Sequence, residues 1–364
     1  MITATKKYPS MKRILLLSIV AAIFLVVPSL FLSVQSSAFS SASIASSSHF
    51  NKPGNILITD QFNNRVIEID PQTKQIVWSF GSGNGKLCNP GPGAIIGPND
   101  AERLADGLTV MVGTGIPPGI PGTKACIDNR VIVVNEAGKI VWQYGQAGKT
   151  GNGTNLLNVP VFVIETPRHT FLITDQGNNR VIEVNKQKHI IWSYGPKSGP
   201  GALNSPNSAE LLPNGHILIA DEGNNRVIEI TRSGHIVWEY KNGISLAAFA
   251  SRLPNGDTLI TDSGHARIIQ VTQEKHIVFE FFTNSSKNSN PNPLPTNAVR
   301  LKNGDTMIAD QFNDRVIMIN SDKEIVFQYG MTNHRGNGFD QLYGPYTAYV
   351  IGDYTGQTPP PKHF

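Results

Sequence analysis

The stretch from Phe171 to Tyr194 reads FLITDQGNNRVIEVNKQKHIIWSY, and the same text returns with small changes along the chain. Ile217 to Tyr240 reads ILIADEGNNRVIEITRSGHIVWEY and Ile56 to Phe80 reads ILITDQFNNRVIEIDPQTKQIVWSF; Thr258 to Phe281 and Thr306 to Tyr329 follow the same pattern. A sixth copy is decayed: Val110 to Gly113 is followed by the insertion TGIPPGIPGTKAC, and the pattern resumes at Asp128 as DNRVIVVNEAGKIVWQYG. Such a repeat decides the architecture, because one unit cannot bury its apolar face alone and neighbours must stack.

Each unit reads as strands. Short β-branched runs such as RVIEI and HIVWEY alternate with period two between Asn/Gly turns, and no helical period of comparable length occurs. Before each trio lies another short apolar run: Ala101 to Leu104, Val161 to Thr166, Ala209 to Leu212, Ala248 to Leu253 and Ala298 to Leu301. The first trio lacks this opening run, whereas GPYTAYVIG from Gly344 to Gly352 aligns with the opening runs and has no trio after it. The expected fold is therefore all-β: a six-bladed β-propeller of four-stranded blades, closed by a C-terminal strand that completes the first blade. Closure removes free sheet edges along the ring, which suits a chain with only 16% charged residues.

At DQGNNRV, DEGNNRV and DQFNDRV the chain resembles the NHL-repeat propellers, over residues 55–351. Asp60, Asp175, Asp221, Asp262 and Asp310 each stand five positions before a repeat arginine (Arg65, Arg180, Arg226, Arg267, Arg315), while Arg130 belongs to the decayed copy. The resemblance implies that carboxylate and guanidinium pair across the turn between the second and third strands, a charge-assisted bond that fixes the hairpin. These residues read as structural, since six copies of one active site on one ring make no chemical sense. Trp78, Trp142, Trp192 and Trp238, continued by Phe279 and Phe327, form one column. They resemble the docking tryptophans of quinoprotein propellers, but those have eight blades; packing between blades is the expected role here.

Histidines are scattered over outer turns (His189, His235, His276) and other hairpins (His216, His265), and the opening strands contain none. A zinc site needs three or four ligands that converge, so no metal and no cofactor are expected. The peptide-amidating lyases among NHL-type propellers hold zinc with channel histidines and use Tyr and Arg; here Tyr346, Tyr349, Arg103, Arg252 and Arg300 match in type and the metal ligands are missing. Arylsulfotransferase-like propellers share the IVW texture, yet their expected channel histidine is also missing. G-x-S-x-G, H-E-x-x-H and the phosphate loop are absent as well. The acids Asp100, Glu102, Glu165 and Glu210 fall in opening strands, where two of them meeting across the channel would form an acid/base pair.

Propeller geometry places a ligand site at one mouth of the channel, where the loops into the opening strands converge. Aligning those loops yields Asn99, Asp100, Asn207, Ser208, Thr296, Asn297, Tyr346 and Thr347, a neutral polar rim with one acid. It suits hydrogen bonding to a protein loop, a peptide or a glycan. The insertion from Gly113 to Cys126 and the long loop from Gly81 to Pro98 add a flap, because long loops in compact domains are often functional. Cys88 and Cys126 are the only cysteines; they allow a disulfide, or two free thiols.

Residues 1–50 carry Lys6, Lys7, Lys12 and Arg13 and no acid, and the rest of the chain holds equal numbers of basic and acidic side chains. A neutral body has no electrostatic footprint for nucleic acid. Residues 1–38 read as a signal peptide or membrane anchor built on the apolar stretch Ile14 to Val34, 39–54 as a Ser-rich linker and 352–364 as a Pro-rich tail. The body is expected outside the cell or on its surface, as a monomer touching a membrane only through an uncleaved N-terminal segment. Two functions follow from the pattern. The first is an extracellular binding or scaffold module working through the channel-mouth loops. The second is a lyase or hydrolase at that mouth, using Asp100, Glu165, Tyr346 and Arg300.

Overall fold

The alternation of β-branched residues gives each repeat its strands, and the apolar character of both faces of the middle strands makes neighbouring sheets stack. The computed structural model describes residues 49–353; the N-terminal segment, most of the Ser-rich linker and nearly all of the tail lie outside these residues. In the fourth blade Pro206–Leu211, Ile217–Asp221, Arg226–Ile230 and Ile236–Tyr240 pair antiparallel in that order. Six such sheets of four strands form a ring, with the first strands of successive blades side by side around the channel. Pro345–Val350 is the inner strand of the first blade and pairs with Ile56–Asp60, so the end of the chain closes the ring as expected.

The core consists of layers between blades. Leu218, Ala220, Val227 and Tyr240 of the fourth blade pack on Ile260, Ile269 and Val271 of the fifth, and equivalent layers fill the other junctions. The tryptophan column belongs to these layers. Trp78, Trp142, Trp192 and Trp238 each donate Nε1–H to a carbonyl of the next blade's outer hairpin: Glu136, Lys186, Arg232 and Gln273.

The repeat Asp–Arg pairs form at 2.6–2.8 Å in five blades. Each does more than hold its hairpin. In the fourth blade Asp221 Oδ1 accepts the Asn204 N–H, while the Arg226 Nη atoms donate to the carbonyls of Pro200 and Ala202, so the pair also fixes the loop leading into the inner strand. The second asparagine of the motif stands in the left-handed region, which Asn tolerates better than most residues (Asn225, φ 52°). Its side-chain oxygen accepts the Leu246 N–H at the start of the fifth blade's inner strand. One motif thus fixes a turn, a loop and the next blade.

The decayed second blade relocates this clamp. Gly113 faces Arg130 where the other blades have aspartate, and Asp128 supplies the carboxylate for Arg130 instead. A Cβ on Gly113 would stand 2.3 Å from Asp128 Oδ2, so glycine is required to leave room for the relocated acid. The relocation frees the two middle strands, Thr109–Ile116 and Cys126–Val134, to run past the rim as a long hairpin.

Candidate functional site

The inner strands determine what the channel mouth presents. They begin at Pro98, Pro160, Pro206, Ala247, Pro295 and Pro345, and in every blade the register slips within the first residues. Proline is tolerated as the first residue of a strand because no ladder donor is needed there. These prolines therefore open strands, where the sequence reading places loop ends. As a result Asn99, Asp100, Asn207, Ser208, Thr296, Asn297 and Thr347 are buried strand residues, a correction to the expected solvated rim; Tyr346 alone is part-exposed.

The third residues of these strands face the neighbouring blade. Asp100 Oδ2 accepts the Val163 N–H at 3.0 Å, and Ser208 Oγ and Asn297 Oδ1 accept the N–H groups of Ala250 and Ala348. They latch one inner strand to the next. The polar second residues, among them Asn99 and Asn207, form a layer across the mouth with Gln61, Gln176, Glu222 and Gln311 of the adjoining turns. Gln311 Nε2 donates to Gln61, Gln61 Nε2 donates to Asn99, and Gln176 Nε2 and Asn207 Nδ2 both donate to Glu222 Oε2. Tyr346 reaches from the first blade to Asn207 of the fourth, opposite it in the ring, with its hydroxyl 2.8 Å from Nδ2 and 3.1 Å from Oδ1. Burial, followed by the Glu222 charge, raises the Tyr346 pKa, and burial raises that of Glu222. Tyr346 is thus a neutral strut over the channel. Gln61, Gln176, Glu222 and Gln311 were not identified from the sequence; their only signal is a polar residue directly after each repeat aspartate.

Beneath this layer the channel is filled. Phe162 and Phe249 meet edge to face at 5.5 Å, and they pack in one cluster with Ile164 and with Val299 and Tyr349 from two further blades. The Tyr349 hydroxyl donates to Asp100 Oδ1 at 3.2 Å. Burial pushes Asp100 up to about 7, against the lowering effect of the Val163 and Tyr349 bonds. Glu102 is raised well above the ordinary range, first by burial and then by the charges of Asp100, Glu165 and Glu210. The four residues proposed for catalysis do not converge. Tyr346 is the second residue of its strand and Asp100 the third, while Glu165 and Arg300 are the last residues of theirs, so strand rise sets Tyr346 about 13 Å from their level. Among the described residues no three His, Cys, Asp or Glu side chains converge where a metal ion could sit.

Above the polar layer lies a pocket of about 950 Å³. Its floor is Gln61, Asn99 and Gln176, and its walls are Ile116, Pro117, Pro118, Ala125 and Ile127 of the long hairpin with Pro90, Val159 and Val161. The hairpin is held at two points. At the last pair of its ladder, Ile116 with Cys126, it is tied by the bond from Cys126 to Cys88, whose Cα atoms are 5.5 Å apart, and both cysteines line the pocket. At its tip the carbonyl of Pro121 accepts the Tyr343 hydroxyl at 2.7 Å, and Ile120 packs near Phe62 and Phe312. Of the predicted candidates, only Asn99 lines this pocket directly; the flap and the disulfide fall where the sequence reading puts them.

No protein-family model matches the chain, and no curated protein matches it. Solved structures do. A protein of unknown function from Bacteroides caccae is 17% identical with a TM-score of 0.56, over 78% of this chain and 97% of that one. A chain of the nidogen/laminin complex is 10% identical with a TM-score of 0.54, over 82% and 98%. Virginiamycin B lyase from Staphylococcus aureus is 16% identical over 77% and 85%, with a TM-score of 0.48. At these identities the first two share the propeller fold with this chain and nothing further.

Proposed function

We propose that this chain is an exported propeller of the NHL type that acts as a binding module, and that its ligand is a neutral peptide segment held in the pocket between the long hairpin and the channel mouth. The observation that carries this reading is the composition of the pocket: apolar walls of Ile, Val and Pro over a floor of side-chain amides. Amides donate to and accept from a peptide backbone, while the walls take an apolar side chain; few polar groups set in an apolar concavity is the usual design of a binding site. The pocket lining holds no charged side chain, and Glu222 in the layer beneath is occupied by Gln176 and Asn207, so the lining itself gives no electrostatic reason to prefer an anion or a cation. Export is supported by the basic, apolar N-terminal sequence and by the disulfide, a bond that persists in oxidising compartments.

The test is selection of a random peptide library on the immobilised protein, with Ile127→Arg as the comparison. Ile127 lines the pocket and is 49% exposed, so the substitution places a charge in the site without disturbing the core. Wild type is expected to enrich neutral sequences with a recurring apolar residue, and Ile127→Arg to lose them. Enrichment of strongly charged sequences, or equal enrichment by the variant, would overturn the assignment.

A further inference from the structure

On the face opposite the pocket, charged pairs join blade to blade, and one pair lacks its acid. Arg103, the last residue of the second blade's inner strand, donates Nη2–H to Glu68 of the first blade at 2.7 Å and stacks on Trp78 at 4.9 Å. Arg252 of the fifth blade repeats the arrangement with Glu229 at 2.9 Å and Trp238 at 5.3 Å. Arg300 occupies the same position in the sixth blade, over Phe279 at 5.1 Å. There the residue equivalent to Glu68 and Glu229 is Gln270, whose Nε2 is turned to Asp257 at 2.6 Å. Nη2 of Arg300, the atom that meets a carboxylate in both counterparts, is buried without a hydrogen-bond partner.

The other junctions are balanced. Glu183 meets Arg232, Glu165 has His169 at 3.2 Å and Lys186 at 3.5 Å, and the sixth-to-first junction places Met318 and Val350 at these positions with no charge at all. Burial lowers the pKa of Arg300 and no carboxylate opposes it. Leaving a buried donor of a charged group unpaired is costly. Lys323 adds an ammonium 5.5 Å from the centre of the same Phe279 ring.

We propose that this junction is a binding site for a carboxylate-bearing small molecule, which supplies to Arg300 the group that Glu68 and Glu229 supply to its two counterparts. The carboxylate is chosen over other anions because the protein itself uses one at both equivalent positions. Arg300 is part-exposed while its unpaired donor is covered, so the carboxylate enters beside the exposed part of the side chain and displaces what covers that donor. The site lies on the opposite face from the peptide pocket and does not depend on that reading.

Acetate is the probe. Sodium acetate replaces sodium chloride at fixed ionic strength while the melting temperature and the amount of isotope-labelled acetate retained on dialysis are measured. Wild type is expected to gain about 2 °C in a saturable way and to retain one acetate. Gln270→Glu, made together with Asp257→Asn so that the new carboxylate does not face the acid that Gln270 contacts, restores the internal carboxylate and is expected to start about 2 °C higher and to be insensitive to acetate. Arg300→Met keeps an apolar stem over Phe279 and is expected to be insensitive too; the double variant decides alone if Arg300→Met does not fold. The proposal is overturned if wild type and the double variant respond equally, if wild type does not respond, or if inorganic phosphate binds at this junction and acetate does not.

Discussion

Replacing Arg226 by alanine removes four contacts at once: the 2.7 Å bond to Asp221, the bonds to the carbonyls of Pro200 and Ala202, and the 3.2 Å contact with Glu239. Asp221 is fully buried, so its charge stays behind without its cation. Breaking a buried pair by removing one member costs about 3–5 kcal/mol. The low end applies here, because Asp221 retains the Asn204 N–H at 2.8 Å and the Asn224 amide at 2.8 Å. At about 3 kcal/mol and roughly 2 °C per kcal/mol for a large domain, the melting temperature should fall by about 6 °C. Urea denaturation followed by circular dichroism gives the free energy, and calorimetry gives the temperature. Arg267→Ala should cost somewhat less, since Asp262, paired with Arg267 at 2.6 Å, keeps His265 Nδ1 at 3.0 Å and the Ser245 N–H at 2.7 Å. Peptide binding by the folded fraction should be unchanged. A loss below about 1 kcal/mol, the range of an exposed ion pair, would refute the view that the repeat motif fastens blades and loops.

Other outcomes follow from single positions. In the folded chain Asp100 holds its proton up to about 7, against an ordinary value of 3.8. The folded state therefore binds more protons between these values, and the stabilisation present below them is lost as pH rises through about 7. Asp100→Asn should lessen this loss, raising stability relative to wild type more at pH 8 than at pH 5 in denaturation at both; equal differences would count against a protonated Asp100. Gly113→Ala should unfold at a markedly lower temperature, because its Cβ would stand 2.3 Å from the relocated Asp128 carboxylate; an unchanged melting temperature would show that this space is not needed. Replacing Cys88 and Cys126 by serine should cost up to about 4 kcal/mol on the chain-entropy view and weaken peptide retention by loosening the hairpin wall of the pocket. Unaltered retention would mean that the tip contact alone holds the hairpin.

The fold was legible because each blade repeats one sentence. The Asp–Arg spacing, the tryptophan column and the displaced inner strand all depend on near neighbours or on the repeat itself. Misreading began at the prolines. Pro98, Pro206 and Pro295 signal a loop to any local reading, yet each starts a strand, and that shift carries Asn99, Asn207 and Asn297 from a wet rim into a buried layer. The Tyr346–Asn207 strut joins positions 139 residues apart on opposite blades, and no periodicity encodes it. Asp128 was missed as a clamp residue because it lies two positions from Arg130, where the repeat predicts five. Arg300 stands out only when its surroundings are compared with those of Arg103 and Arg252 in three dimensions.

The central claim, that ligand is held between the long hairpin and the channel mouth, is tested most directly by amide hydrogen exchange on the protein with and without a peptide enriched by the selection described above. The account predicts slowed exchange at residues 113–127 and 159–162, with the outer strands and the opposite-face hairpins unchanged. Protection confined to the outer strands or to the hairpins near Arg300 would contradict it.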